Sequence, residues 1–193
     1  MSVPIMLAES PQERHRVLAF VREQARRLYG GPAPTPSQIL FFAELDCGIC
    51  GTISLDFADG TRKLPLESIY CFDRNQTPWP FEPEMIAQIG KWWATHPGVA
   101  VQLMHVAHVY ALAAGKAFGL AEAKPRIIAR VGEFGMTHVE VPGALLRTRK
   151  MSSSGKGYHV TPPPPQLYMS DIRANAAALA NYIDCQERVA EEG

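Results

Sequence analysis

Apolar positions along the chain change period several times, and each change marks an element. After SPQE, where Ser10 reads as an N-cap, Pro11 as the first helical residue and Glu13 as the capping-box partner, Val17, Leu18, Val21, Ala25 and Leu28 recur at helical spacing. Gly30-Gly31 with Pro32, Pro34 and Pro36 ends that helix. ILFFAEL and ICGTISLDF are apolar, β-rich runs joined by Asp46-Cys47-Gly48, a hairpin turn in which Gly48 supplies positive φ. ADGTRK is a second turn, and LPLESIY with the Pro-rich TPWPFEPE leads to a third β run, MIAQIGKWWA. VAVQLMHVAHVYALAAGKAFG is Ala-rich and apolar nearly all round, which predicts a helix laid on a sheet and closed by Gly119.

Past Leu120 a short strand meets Pro125, and PRIIARVGEFGM predicts a third helix ending at Gly135. THVEV and GALLR read as strands, RTRKMSSSGKG as a basic loop and YHV as a strand. The prolines from Pro162 to Pro165 bar both helix and sheet, and Ser170-Asp171 open a last helix carrying Ile172, Ala176, Leu179 and Ile183 on one face, a C-terminal extension over about 168–190. Strands and helices are mixed without the strict alternation of a doubly wound sheet, which predicts a single α/β domain over 1–193. On the third β run, the period of two puts Gln88, Gly90 and Trp92 on one face and Ile89, Lys91 and Trp93 on the other.

Composition narrows the function classes. At 193 residues and 47% hydrophobic, the chain can bury one substantial core. Nineteen basic residues balance nineteen acidic ones, so no global field points to nucleic acid. No apolar run reaches about eighteen residues and MSVPIMLAESPQERHR has no leader pattern, so the expectation is a cytoplasmic chain without a membrane span. Cys47 and Cys50 form a Cys-x-x-Cys pair, but Cys71 and Cys185 stand alone and no second ligand pair follows, so the pair reads as structural and no metal site is expected. His105 and His108 share a helical spacing without a third ligand, which fits ordinary packed histidines.

GTISL (Gly51 to Leu55), LPLESIY (Leu64 to Tyr70), QIGKWWA (Gln88 to Ala94) and RVGEFGM (Arg130 to Met136), with YGG at Tyr29 as a weaker echo, together resemble the GNAT acyltransferases. The similarity is to their autoinducer-synthase-like branch, which includes acyl-homoserine lactone synthases, N-acyl amino acid synthases and the thermostable-hemolysin type. It implies a mixed, mainly antiparallel central sheet flanked by helices, with an added C-terminal helix. It also implies an N-acyltransferase moving an acyl group from an acyl thioester to a small amine or amino acid. The implied cosubstrate is the phosphopantetheine arm of acyl carrier protein, or acyl-CoA, with no tightly bound cofactor.

The pattern departs from the family at four places. Where relatives carry Glu-x-Gly-Arg this chain has Gln88 and Lys91, and an amide takes no proton. Ser54 replaces the arginine of the GTxRL-like strand of lactone synthases, and Val131 stands where many GNAT enzymes place a tyrosine. THPGVA replaces the pyrophosphate loop before the long helix.

Acyl transfer to an amine asks little of side chains when backbone N–H groups polarise the thioester carbonyl and the amine arrives deprotonated. The resemblance implies a groove between splayed strands, with the third β run as one wall and Leu120 to Ala123 as the other. Gln88, Lys91 and Glu67 are the candidate catalytic residues, Glu67 and Glu44 being the carboxylates that could replace the lost base. Gly90 permits close approach of a ligand to the backbone. Trp92 and Trp93 read as core or as lining for an acyl tunnel. Arg126 and Arg130, one helical turn apart, form with Arg147, Arg149, Lys150 and Lys156 either a basic patch for acyl carrier protein and its pantetheine arm, or a solvated face. The rival to an enzyme is a catalytically inactive relative that binds a ligand or protein, motivated by Gln88 and Val131.

Overall fold

The Ser10 hydroxyl accepts the Glu13 N–H at 3.2 Å while the Glu13 carboxylate accepts the Ser10 N–H at 2.9 Å, so the first helix begins where SPQE predicts. The computed structural model describes residues 3–30, 36–59, 61–147 and 156–191. Most of the basic loop expected around 147–157, including Arg149 and Lys150, lies outside them. The elements run β1 (Ile5–Leu7), α1 (Pro11–Tyr29), β2 (Ile39–Leu45), β3 (Gly48–Phe57), α2 (Pro65–Ile69) and β4 (Tyr70–Cys71). Then come β5 (Ile86–Ala94), α3 (Pro97–Ala113), β6 (Phe118–Ala123), α4 (Pro125–Gly132), β7 (Val139–Glu140), β8 (Leu145–Leu146), α5 (Lys156–Val160), β9 (Gln166–Asp171) and α6 (Ile172–Glu191).

Among the described residues one seven-stranded sheet runs β1-β2-β3-β5-β6-β9-β7, antiparallel except where β5 lies parallel to β6, and β4 pairs with β8 apart from it. This is the mixed, mainly antiparallel sheet flanked by helices that the family resemblance implies. One face of the sheet packs Phe41, Ile53, Leu55, Ala87 and Ile89 against Leu103 and Met104 of α3 and Leu179 of α6. On the other face α1 covers Leu40 and Phe42 with Val17 and Leu18, and further along Leu64, Leu66 and Tyr70 cover Ile86, Leu120, Leu167 and Met169. The α3 helix is apolar all round because the sheet, α6 and β1 enclose most of it.

Four boundaries differ from the sequence reading. The long helix ends at Ala113, and the residue that turns the chain is Gly115 at φ 75, because Phe118–Ala123 is drawn into the sheet as β6. Gly119 is needed inside that strand, where a Cβ would lie 2.6 Å from the Ser170 hydroxyl. The third helix stops at Gly132, with Gly135 at φ 79 ending the turn after it. YHV is the end of the short helix α5 rather than a strand: among the described residues no strand pairs with it, and Tyr158 and His159 pack across the ends of α1 and β6. Residues 166–171 form β9, an inner strand of the sheet, and Asp171 caps the C-terminal helix through the Ala174 N–H at 2.8 Å.

Candidate active site

The parallel ladder of β5 and β6 joins Ile86 to Phe118, Ala87 to Gly119, Gln88 to Leu120 and Ile89 to Ala121, and goes no further. Since β5 continues to Ala94 and β6 to Ala123, a gap opens between the strands where Gly90 would face Glu122. The other edge of β5 stays on β3 through a bulge: Gly90 opposes Ser54, but Trp93 opposes Thr52. Lys91 occupies the bulge at φ 48, and the Thr52 hydroxyl donates to its carbonyl at 2.9 Å.

That extra residue overturns the expected alternation. Past the bulge every side chain moves to the other face, since the period of a strand is two. Gln88 points to α2, and Lys91 reaches the Ser37–Asp56 pair on that same face, where Asp56 lies opposite Gln88 in the ladder. Trp93 follows them and meets Tyr29, whereas Trp92 turns to α3, its Nε1 donating to the Ala100 carbonyl at 3.2 Å.

The Lys91 ammonium donates to the Ser37 hydroxyl, which donates to Asp56 Oδ2 at 2.8 Å, while Asp56 Oδ1 accepts the Gln38 N–H at 3.0 Å. Ser37 and Asp56 are buried. Burial lowers the Lys91 pKa from the usual lysine range, and the Asp56 charge partly offsets that. Together these groups tether the bulge to the start of β2.

Across the gap, Glu122 Oε1 accepts the Tyr70 hydroxyl at 2.6 Å and lies 2.6 Å from His159 Nε2. Both side chains of the Glu122–His159 pair are nearly enclosed, 13% and 11% exposed. Burial and the Glu122 charge push the Tyr70 and Tyr158 phenols above their ordinary range, so both are protonated at neutral pH. Ring contacts carry the wall back to β5: His159 meets Tyr158 at 5.3 Å, Tyr158 meets Tyr29 at 4.9 Å and Tyr29 meets Trp93 at 6.0 Å. The Lys124 ammonium lies 5.6 and 5.2 Å from the Tyr29 and Tyr158 rings and donates to the Thr161 carbonyl at 2.6 Å.

The predicted residues are dispersed unevenly about this gap. Gly90 and Lys91 flank it. Gln88 lies two residues before Gly90, inside the ladder, its carboxamide oxygen accepting the Leu66 N–H at 2.8 Å. Glu67 is held by the Leu64 N–H at 2.9 Å and by Arg74, and Glu44 by Arg16. Arg126 and Arg130 are exposed on α4, with Arg130 paired to Glu133. Val131 is buried in the core. Cys47 and Cys50 are free thiols, Cys50 buried and its pKa raised for that reason.

The sequence reading missed Tyr70, Glu122, Tyr158 and His159. For Glu122 a signal exists: it lies two residues past the core residue Leu120, and therefore on the same face. His159 is 37 positions away and gives none.

No family model matches the chain, and no curated protein matches it either. Solved structures do match. TofI in an apo form superposes with a TM-score of 0.61 at 12% identity, covering 92% of this chain and 96% of that one. FeeM, an N-acyl amino acid synthase from uncultured soil microbes, gives 0.62 at 18% identity, over 89% of this chain and 92% of its own. BjaI, a CoA-dependent acyl-homoserine lactone synthase solved with SAM and isopentyl-CoA, gives 0.53 at 15% identity, over 89% and 79%. The chain thus has the divergent GNAT-like fold of the autoinducer-synthase branch, and at these identities the likeness is one of fold.

Proposed function

We propose that the protein is an N-acyltransferase that moves an acyl group from a thioester to a small amine, with acyl carrier protein as the favoured donor and acyl-CoA as the other. The observation that carries this reading is the gap past Ile89 and Ala121, with a tethered bulge at Lys91 on one side and polar groups on the other. Backbone near Gly90 and Lys91 that is free of the β6 ladder suits the thioester carbonyl, and Gly90 leaves the approach open. FeeM, an N-acyl amino acid synthase, and BjaI, a CoA-dependent acyl-homoserine lactone synthase, share the fold, which supports this reading. Arg126 and Arg130 present cations on the helix following β6, where an acidic carrier would dock.

The test is release of free thiol, in step with amide formation, from acyl carrier protein and from CoA thioesters offered with primary amines. Charge reversal at Arg126 and Arg130 is expected to reduce transfer from the carrier protein several-fold while leaving a small soluble thioester nearly unaffected; exposed pairs are worth about 0.2 to 1 kcal/mol each. Equal loss with both donors would remove the docking role.

A second reading, a binding module without turnover, draws on Gln88, whose carboxamide is committed to the Leu66 N–H and leaves β5 without a carboxylate. Thioester binding with no thiol release would establish it.

A further inference from the structure

The carboxylate missing from β5 has a counterpart on the opposite strand. Register puts Glu122 one residue past the last β5–β6 pair, level with Gly90 and on the face shared by Gln88, Lys91 and Trp93. Its Oε1 is taken by Tyr70 and His159, and among the described residues Oε2 has no protein hydrogen-bond partner. A carboxylate 13% exposed whose second oxygen has no protein partner can accept a hydrogen bond from a ligand in the gap. The rings of Tyr29 and Tyr158 beside it, which also face the Lys124 ammonium, give the gap an aromatic wall that suits the apolar body of an amine.

We infer that Glu122 Oε2 is the anchor and proton acceptor for the amine substrate, with Tyr70 and His159 as positioning residues and a primary amine bearing an aromatic or apolar body as the acceptor class. The assignment rests on the acyltransferase reading. The substrate binds as its ammonium against Glu122, loses one proton to bulk water, and reacts as the neutral amine while Glu122 stays ionised. As the nitrogen attacks the thioester carbonyl, the C–N bond forms and the nitrogen of the tetrahedral adduct becomes acidic. Glu122 takes that proton, the C–S bond breaks, and the proton ends on the departing thiolate, giving amide and free thiol. Tyr70 and the imidazole N–H hold Oε1 and so fix the direction of Oε2.

Glu122→Gln tests this while keeping the shape and an acceptor oxygen for Tyr70. With 2-phenylethylamine and an acyl thioester, the variant is expected to lose about 100-fold or more in kcat, with the thioester KM within about 2-fold of wild type. Glu122→Ala should lose as much and regain about 5-fold or more on adding formate, which a structural role would not give. Calorimetric binding of 2-phenylethylamine, measured without any thioester, should be present in the wild type and weakened at least about 10-fold in Glu122→Gln. Wild-type turnover that survives Glu122→Gln, or a loss that tracks the thioester KM with no rescue by formate, would overturn the assignment. If the wild type releases no thiol from any donor, the acyltransferase reading fails. Amine binding then decides the ammonium site alone: Glu122-dependent binding upholds it and absent binding overturns it.

Discussion

A Cβ placed on Gly157 would lie 1.9 Å from the carbonyl oxygen of Tyr29, so α5 rests directly on the last residue of α1. The contact seats Tyr158 and His159 over the gap. Gly157→Ala cannot be accommodated by rotating a side chain, because the clash is with backbone. The short helix is therefore expected to lift, taking His159 away from Glu122. Small displacements of a positioned group cost up to about 100-fold in rate, so amide formation should fall by roughly 10- to 100-fold. The melting temperature should move little, since α5 is peripheral to the apolar clusters. The fluorescence of Trp93, which meets Tyr29, provides a second measure of the shift.

The bulge tether is testable through Asp56. Asp56→Asn brings an amide N–H₂ toward either the Ser37 hydroxyl or the Gln38 N–H, and it deprives the half-buried Lys91 ammonium of the nearby carboxylate charge. A buried donor left without an acceptor costs about 1 to 3 kcal/mol, and denaturant unfolding should show a loss of that size. Lys91→Gly removes the tether but relieves a non-glycine residue at φ 48, so its loss of stability should be smaller than that of Asp56→Asn. Faster amide exchange confined to Gly90–Trp92 in both variants would locate the effect in the bulge.

Much of this frame is readable from the sequence, for reasons that also explain where reading stops. The Ser10–Glu13 box and the hairpin at Gly48 are local, set by residues within a few positions of one another. The groove between β5 and Leu120–Ala123 follows from the family resemblance. Nothing in QIGKWWA marks an extra residue at Lys91, since lysine has no preference for positive φ and the bulge is held by Asp56 and Thr52 of β3 and by Ser37 ahead of β2. Glu67 resembles a free carboxylate until the fold brings Arg74 and the Leu64 N–H to it. Glu122 and His159 form a pair only after α5 crosses the end of β6.

Acid should destabilise the fold through two histidines. His108 is fully buried on α3, and burial pushes its pKa down to about 4, opposed in part by the hydrogen bond to the Met104 carbonyl and aided slightly by the nearby His105. His138 is pushed down to about 4 by burial and by His108. The unfolded chain binds protons below about pH 6.5 that the folded chain refuses until about pH 4. Stability is therefore complete above pH 6.5 and is lost progressively as pH falls toward 4, by about 3 kcal/mol for each histidine at about 1.4 kcal/mol per pKa unit. Melting temperatures between pH 7.5 and 4.5 would show the decline, and His138→Leu should make it about half as steep.

Placing a carboxylate on β5, where the resemblance implies one, provides the sharpest comparison of the two walls. The Gln88 oxygen accepts the Leu66 N–H at 2.8 Å, and a carboxylate oxygen can accept the same hydrogen bond, so Gln88→Glu should fold. At 8% exposure the new carboxyl would have its pKa raised by burial, and it points into α2 rather than across the gap. If Glu122 receives the proton, Gln88→Glu should leave amide formation within about 3-fold of wild type, and it should not rescue Glu122→Gln, because a base must lie within hydrogen-bond reach of the nitrogen. Activity restored in the double variant would place the acceptor amine against β5 and return the base to the position the resemblance implies. An unchanged double variant, beside a folded and active Gln88→Glu, leaves β6 as the strand that carries the base.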